Sequence, residues 1–269
     1  MTRDLITVES LRGAKLPHVT TILDVLMKKG LINWAARMAV TYIKDKVIDL
    51  IKFGLIDFDE LQVMDLDKII EDARDYHNKK AAEAADKGKR VHEAIERWLR
   101  AKDEEEIEVD EDLQKPFKAF LTWWEENNID PILIEEKVWS LDQGGFAGVP
   151  DVIGYVGKGP ERKMYVIDFK TGKAIYDDFT LQLAAYFFAA RQSQGLEVEV
   201  GGILRLDQIT GEPEFHVFSM AEIGKAYARF LCLVSYWHKT HREKIELEDW
   251  YEPPEPGTTP LPFNFKELE

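Results

Sequence analysis

The sequence predicts an α/β fold: a mixed central sheet flanked by helices, with a helical region at the N-terminal end. Two patterns carry this. Three segments between Pro131 and Lys170 alternate with a strand's period of two, and two more up to Phe218 supply further strands. Before, between and after them, apolar residues recur at spacings of three and four, as on one face of a helix. The size agrees: 269 residues, 45% hydrophobic and 32% charged, suffice for one sizeable domain or two small ones.

Residues 1–80 read as the N-terminal helical region and 81–252 as the core. Residues 18–53 are helical by pattern, with Thr20 or Thr21 as cap and Gly30 as a stop. The run that follows Gly30 carries Trp34, Arg37, Tyr42 and Lys44. An aromatic and cationic face of this kind can stack bases and hold phosphates, which makes it a candidate DNA path; it can equally be packing. Asp59 to Lys80 is a charged helical stretch without identifiable chemistry. From Ala81 to Ala101, the positions Ala85, Gly88, His92, Ile95 and Leu99 share a face, so His92 points inward. Lys89 and Arg90 sit one turn away, where they could meet a phosphate backbone. Asp103 to Asp112 holds eight acidic residues in ten and reads as a solvated linker. Gln114 to Asn128 is an amphipathic helix, with Phe117, Phe120, Leu121 and Trp124 on one side.

The sheet begins at Pro131. Parity places Ile132, Ile134, Glu136 and Val138 on one face, making Glu136 an anomalous inward carboxylate; Glu135 faces outward unless a one-residue bulge exchanges the two. Asp142 to Gly145 forms a hairpin turn, and in the next segment Asp151 shares a face with Val149 and Ile153. In the third segment Asp168 and Lys170 lie side by side on one face. Ionised carboxylates on such faces are costly without a compensating cation. Two readings remain open at this point: a hard divalent ion held by oxygen ligands with an ammonium beside it, or a buried salt bridge. A helix from Asp178 to Gln194 then places Gln182 and Tyr186 one turn apart. Two further strands, Glu197 to Leu206 and Glu214 to Phe218, precede a last helix from Met220 to about His241. His238 and His241 there have no further ligands nearby in sequence and read as a helix end. Residues 253–269, with five prolines, form an extended tail.

Pro150-Asp151, followed after 16 residues by Asp168-Phe169-Lys170, resembles the PD-(D/E)xK nuclease signature. Gly148-x-x-Asp151, Gln182-x-x-x-Tyr186 and Gly88-x-x-x-His92 narrow the resemblance to the RecB-type branch, which includes phage-encoded nucleases and the mitochondrial genome maintenance exonuclease. The resemblance implies a restriction-endonuclease-like core and a Mg²⁺- or Mn²⁺-dependent deoxyribonuclease. Its ligands to one or two ions would be His92, Asp151, Asp168 and the Phe169 carbonyl, with Glu136 in reserve. Lys170 would act with Asp151 and Asp168 in catalysis, and Gln182 and Tyr186 would touch the nucleic acid or support the site. The implied substrate is DNA, single-stranded or with free ends, in replication, recombination or repair. Exonuclease action is preferred. A structure-specific endonuclease or flap nuclease, and a non-catalytic nucleic-acid-binding module of the same fold, are the alternatives.

Composition sets further bounds. A single cysteine, Cys232, excludes the four-cysteine iron–sulfur cluster of some RecB-type nucleases. No G-x-x-x-x-G-K-[ST] loop provides for ATP, and no G-x-S-x-G elbow for a serine nucleophile. Met1 to Ser10 is polar, and no apolar run approaches a membrane span, so a cytoplasmic location in a bacterial or phage-infected cell is expected. The net charge of −15 argues against a general nucleic-acid coat. Residues 1–100 hold 18 basic and 17 acidic residues, while 101–269 hold 17 and 33. Any DNA path is therefore expected in the N-terminal part.

Overall fold

The computed structural model describes residues 5–26, 29–53, 66–101 and 107–241. They form two compact units, Met1–Val25 with Arg90–Glu269, and Leu26–Lys89. The acidic stretch 102–106 and the proline-rich tail lie outside the described residues, as does most of the start of the Asp59–Lys80 stretch.

The larger unit opens with a hairpin, β1 (Leu5–Val8) and β2 (Ala14–Pro17), where the sequence signals no strand. Val8 and Leu16 bury themselves against Ala147, which accounts for two such short strands holding together. Helix α1 (Val19–Leu23) follows, with the His18 ring accepting from the Thr20 N–H as its cap.

The centre is a five-stranded mixed sheet. Its strands are β3 (Ile129–Ile134), β6 (Val152–Val156), β7 (Lys163–Lys170), β8 (Val200–Leu206) and β9 (Pro213–Phe218), in the order β3-β6-β7-β8-β9. Only β7 and β8 are parallel, and the helix α5 (Asp177–Gln194) makes that crossover. The other strands, β4 (Val138–Ser140) and β5 (Phe146–Gly148), pair as a separate hairpin. Thus the alternating segment 131–140 is divided between two sheets, and the Asp151 segment is interrupted between β5 and β6.

Helices cover both faces. On one, the end of α3 (Leu66–Arg100) and α4 (Gln114–Asn127) bury Val91, Ile95, Phe120 and Trp123 against Val152, Ile167, Phe169 and Leu204. On the other, α5 packs on β7 and β8, and α6 (Met220–Thr240) packs on α5. A full capping box at Ser219 and Glu222 starts α6. Helix α5 is buried almost throughout from Leu181 to Ala190, which explains its lack of a polar face.

The smaller unit consists of α2 (Lys29–Lys52) and the first part of α3. Helix α2 runs through Gly30, so that glycine does not stop a helix. The Tyr42 and Tyr76 rings meet at a tilt of 42° with centroids 4.9 Å apart, and Trp34 meets His77 edge-on. No described helix is long and apolar enough to cross a membrane.

Candidate metal and catalytic centre

The site forms where β6 stops short of the end of β7. The last pair between them is Val152 with Ile167, so Asp168, Phe169 and Lys170 extend past their neighbour. Because β3 and β7 both run antiparallel to β6, the end of β3, the start of β6 and the end of β7 meet at one edge.

Asp151 immediately precedes β6 and is only 7% exposed. Its carboxylate fills the vacated ladder position, with Oδ2 accepting the Phe169 N–H at 2.5 Å. The N–H and C=O of one strand residue point to the same edge, so the Phe169 carbonyl lies on this edge too. Asp151 Oδ1 is 2.8 Å from His92 Nδ1. That contact follows from the three-and-four spacing, which turns His92 from α3 toward the sheet. Burial raises the Asp151 carboxyl, but the charge and hydrogen bond of His92, the Lys170 charge and the Phe169 N–H outweigh it, and the net shift is downward. Burial of His92 lowers its imidazole, yet Asp151 more than compensates and holds the group above its ordinary value.

Asp168 is 3% exposed. The Lys170 ammonium stands 2.5 Å from Oδ2, as their shared face requires. Lys170 is thus the cation that offsets the buried Asp168 charge. Burial lifts the Asp168 carboxyl to about 6, against the opposing effect of Lys170.

The third carboxylate is Glu135 and not Glu136. Pairing between β3 and β6 shifts register between Pro131 and Leu133, so one residue is bulged out. Ile132 is consequently 46% exposed, and Ile134 comes onto the face of Pro131 rather than that of Ile132. Glu136 is exposed, whereas Glu135 is half-buried. Its backbone adopts a left-handed φ of 51°, and its N–H donates to the Asp151 carbonyl at 3.0 Å. Arg100 fixes the strand end by donating to the Ile134 carbonyl at 2.7 Å. Burial first, and the Asp151 charge second, push the Glu135 carboxyl to about 8. A signal for the bulge was present in the sequence, since a proline inside a strand, here Pro131, belongs at an edge or a bulge. Gly154, opposite it, is a second signal: a Cβ there would meet the Asp130 carbonyl at 2.5 Å.

One ligand atom each from His92, Glu135 and Asp151 fall within 4.8 Å of one another, close enough to hold a metal ion. Nitrogen plus hard oxygen donors, with the buried Asp168 carboxylate close enough for its charge to act on Asp151 and His92, suit a divalent cation.

On α5, Gln182 Nε2 donates to the Tyr186 hydroxyl at 2.9 Å. Tyr186 is 2% exposed, and its hydroxyl is pushed well above the ordinary value by burial and by the Asp168 charge. The ring occupies the space beside Gly148, where any Cβ would overlap Tyr186 Cε1. Gly148 is thus required by contact rather than by conformation.

The remaining expected residues lie elsewhere in character. Arg90 is held by Asp110 at 3.0 Å and Asp112 at 2.7 Å. Lys89 is exposed. Trp34 and Arg37 belong to the Leu26–Lys89 unit, where Arg37 Nε donates to the Asn33 carbonyl at 3.3 Å. Cys232 is exposed on α6.

No family model matches the chain, and no curated protein matches it. Among solved structures, the crystal structure of a "Putative exonuclease" from Eubacterium rectale aligns with a TM-score of 0.36 and 10% sequence identity, over 62% of this chain and 77% of that one. A likeness of that extent carries no argument about the activity of this chain, which rests on the residues themselves.

Proposed function

We propose that the chain is a divalent-metal-dependent deoxyribonuclease with a PD-(D/E)xK core of the RecB type, hydrolysing phosphodiester bonds at DNA ends or in single strands during replication, recombination or repair. One observation carries the reading. At the open end of β7, the buried Asp168–Lys170 pair stands beside the His92, Glu135 and Asp151 group, and the charges of Asp168 and Asp151 act on one another. A buried salt bridge formed for stability alone would not need three further ionisable groups around it.

In this reading His92, Glu135, Asp151 and Asp168, with the Phe169 carbonyl, hold one or two Mg²⁺ or Mn²⁺ ions. Bound there, such an ion would lower the pKa of a water and offset negative charge on the phosphate. Lys170, fixed by Asp168 and only 16% exposed, donates hydrogen bonds to the attacking water or to a non-bridging phosphate oxygen. Tyr186 and Gln182 wall the site on the α5 side and keep Asp168 out of bulk water.

The test compares wild type with Asp168→Asn and Lys170→Ala on end-labelled single- and double-stranded DNA, with Mn²⁺ and with chelator. Loss of roughly 100-fold or more in rate is expected for either variant. Folded variants that cleave like wild type would sink the assignment. Circular and end-blocked substrates separate exonuclease from endonuclease action: a requirement for a free end is expected.

A further inference from the structure

Next to Lys170 stands an aromatic pair that the reading above leaves without a role. Lys170 Nζ lies over the Phe179 ring, 5.0 Å from its centroid. Phe179 in turn meets Tyr176 edge-to-face, with centroids 5.4 Å apart. Tyr176, a large ring linked to Lys170 through Phe179, is 53% exposed. An edge-to-face contact consumes at most one face of a ring, so at least one face of Tyr176 is not used by Phe179.

The ring is also held in place. Tyr176 is the residue preceding α5, and its carbonyl accepts the Phe179 N–H at 3.0 Å. The loop from Lys170 to Tyr176 is tied to the turn after β8, with Gln208 Nε2 donating to the Thr171 carbonyl at 2.7 Å. An exposed aromatic on a fixed backbone, two ring contacts from the lysine, is a preorganised flat surface.

We infer that Tyr176, backed by Phe179, stacks an unpaired base of the nucleotide adjoining the scissile phosphate, which makes the preferred substrate a single strand or a frayed end. Asp177 opens α5 directly beside the ring and is exposed, and a carboxylate there opposes a phosphate while leaving a neutral base unaffected. Stacking on an aromatic face tolerates any sequence, because every base has a π-face. Base-paired DNA offers no free base face to the ring, and that sets the strand preference.

The inference rests on the nuclease reading for its geometry, but its test is separable. Wild type, Tyr176→Ala and Tyr176→Phe are compared on a single-stranded oligodeoxynucleotide with Mn²⁺, and on a series in which one abasic site is moved along the strand. The expected result for Tyr176→Ala is a rise in KM of roughly 10- to 100-fold, with kcat changing by less and Tyr176→Phe close to wild type. One abasic position should weaken wild type by a similar factor and add nothing to Tyr176→Ala. A purely structural role for the ring would not depend on the abasic position. Equal KM values for wild type and Tyr176→Ala, or an abasic penalty that persists in full in Tyr176→Ala, overturn the inference. A second measurement follows quenching of a 2-aminopurine-labelled single strand with chelator present. Quenching that requires Tyr176 in a protein that cleaves nothing would retain the stacking surface and remove the nuclease reading. Absence of both cleavage and quenching overturns both.

Discussion

Glu135 and Asp168 are carboxyls that the fold keeps protonated to unusually high pH, to about 8 and about 6, both chiefly through burial. The sign of the consequence follows from linkage. Each value lies above that of an unfolded chain, so without a divalent ion their contribution to stability is complete below about pH 4 and is lost as pH rises through about 6 and then about 8. His92, also raised, loses its contribution in the same direction. Asp151 is lowered and acts oppositely, but only in acid. The metal-free protein is therefore expected to melt at progressively lower temperature between about pH 5 and 8.5, and Glu135→Gln should flatten the upper part of that curve. Ligands must shed these protons to bind a cation, so Mn²⁺ affinity should strengthen over the same window, with proton release measurable by calorimetry in buffers of different ionisation enthalpy. A pH-independent affinity would remove these carboxyls from the ligand set. A second residue-scale expectation concerns Gly148, whose missing Cβ makes room for the Tyr186 ring. Gly148→Ala should cost about 1–3 kcal/mol by overpacking. In a double-mutant cycle with Tyr186→Leu, part of that cost should be recovered, since the smaller side chain relieves the overlap.

At the scale of elements, the β3 bulge shows what a sequence does and does not disclose about a site. Asp168 and Lys170 could be placed side by side from alternation alone, because β7 runs without interruption from Lys163 to Lys170. His92 could be placed inward for the same reason, on an unbroken helix. The same parity rule turns Glu136 inward, and it fails there because the bulge at Ile132 changes the face of Ile134 and the left-handed φ of Glu135 ends the strand's alternation. Pro131 and Gly154 hint at the bulge, but neither states on which side of it the register changes. Likewise the division of residues 131–140 between β3 and β4 depends on which partner each half finds, a tertiary choice that alternation does not encode. The β1–β2 hairpin leaves no signal in the sequence because its strands are four residues each and owe their pairing to packing on Ala147. The exchange of the two glutamates is directly testable by Mn²⁺ titration of the folded variants. Glu135→Gln should weaken binding roughly tenfold or more, as expected when a ligand or its immediate support is lost, whereas Glu136→Gln should leave it within about twofold. The reverse ranking would mean that the strand is in unbulged register in solution.

At the scale of the molecule, the two compact units differ in what they bury. The Met1–Val25 and Arg90–Glu269 unit encloses a sheet whose inner residues, among them Val152, Ile167, Ile203 and Leu204, are fully buried. Among the described residues of Leu26–Lys89, Ala73 alone is buried, and Ile32, Val40, Phe53 and Ile70 are all exposed to 45% or more. Its helices rest on partly covered rings such as Tyr42 and Tyr76. Net charge and periodicity distinguished this region only as less acidic and helical; how little it buries depends on packing that composition does not reveal. Local stability follows buried apolar area more closely than helix content, and regions with few buried contacts open with small free energies. Native-state hydrogen exchange should therefore separate the units. Amides of α2 and of α3 before Lys89 are expected to exchange through local openings that need little denaturant. Those of β6, β7, β8 and α5 should exchange only as fast as global unfolding permits, because breaking any of them exposes the shared core. The proposed Mn²⁺ ligands lie at the ends of those strands and on α3 beyond Arg90, so addition of Mn²⁺ should slow the second set, because a ligand that binds only the folded unit raises the free energy of opening it. The first set should be slowed much less. If α2 amides prove as protected as those of β7, the burial argument for a separately opening unit fails.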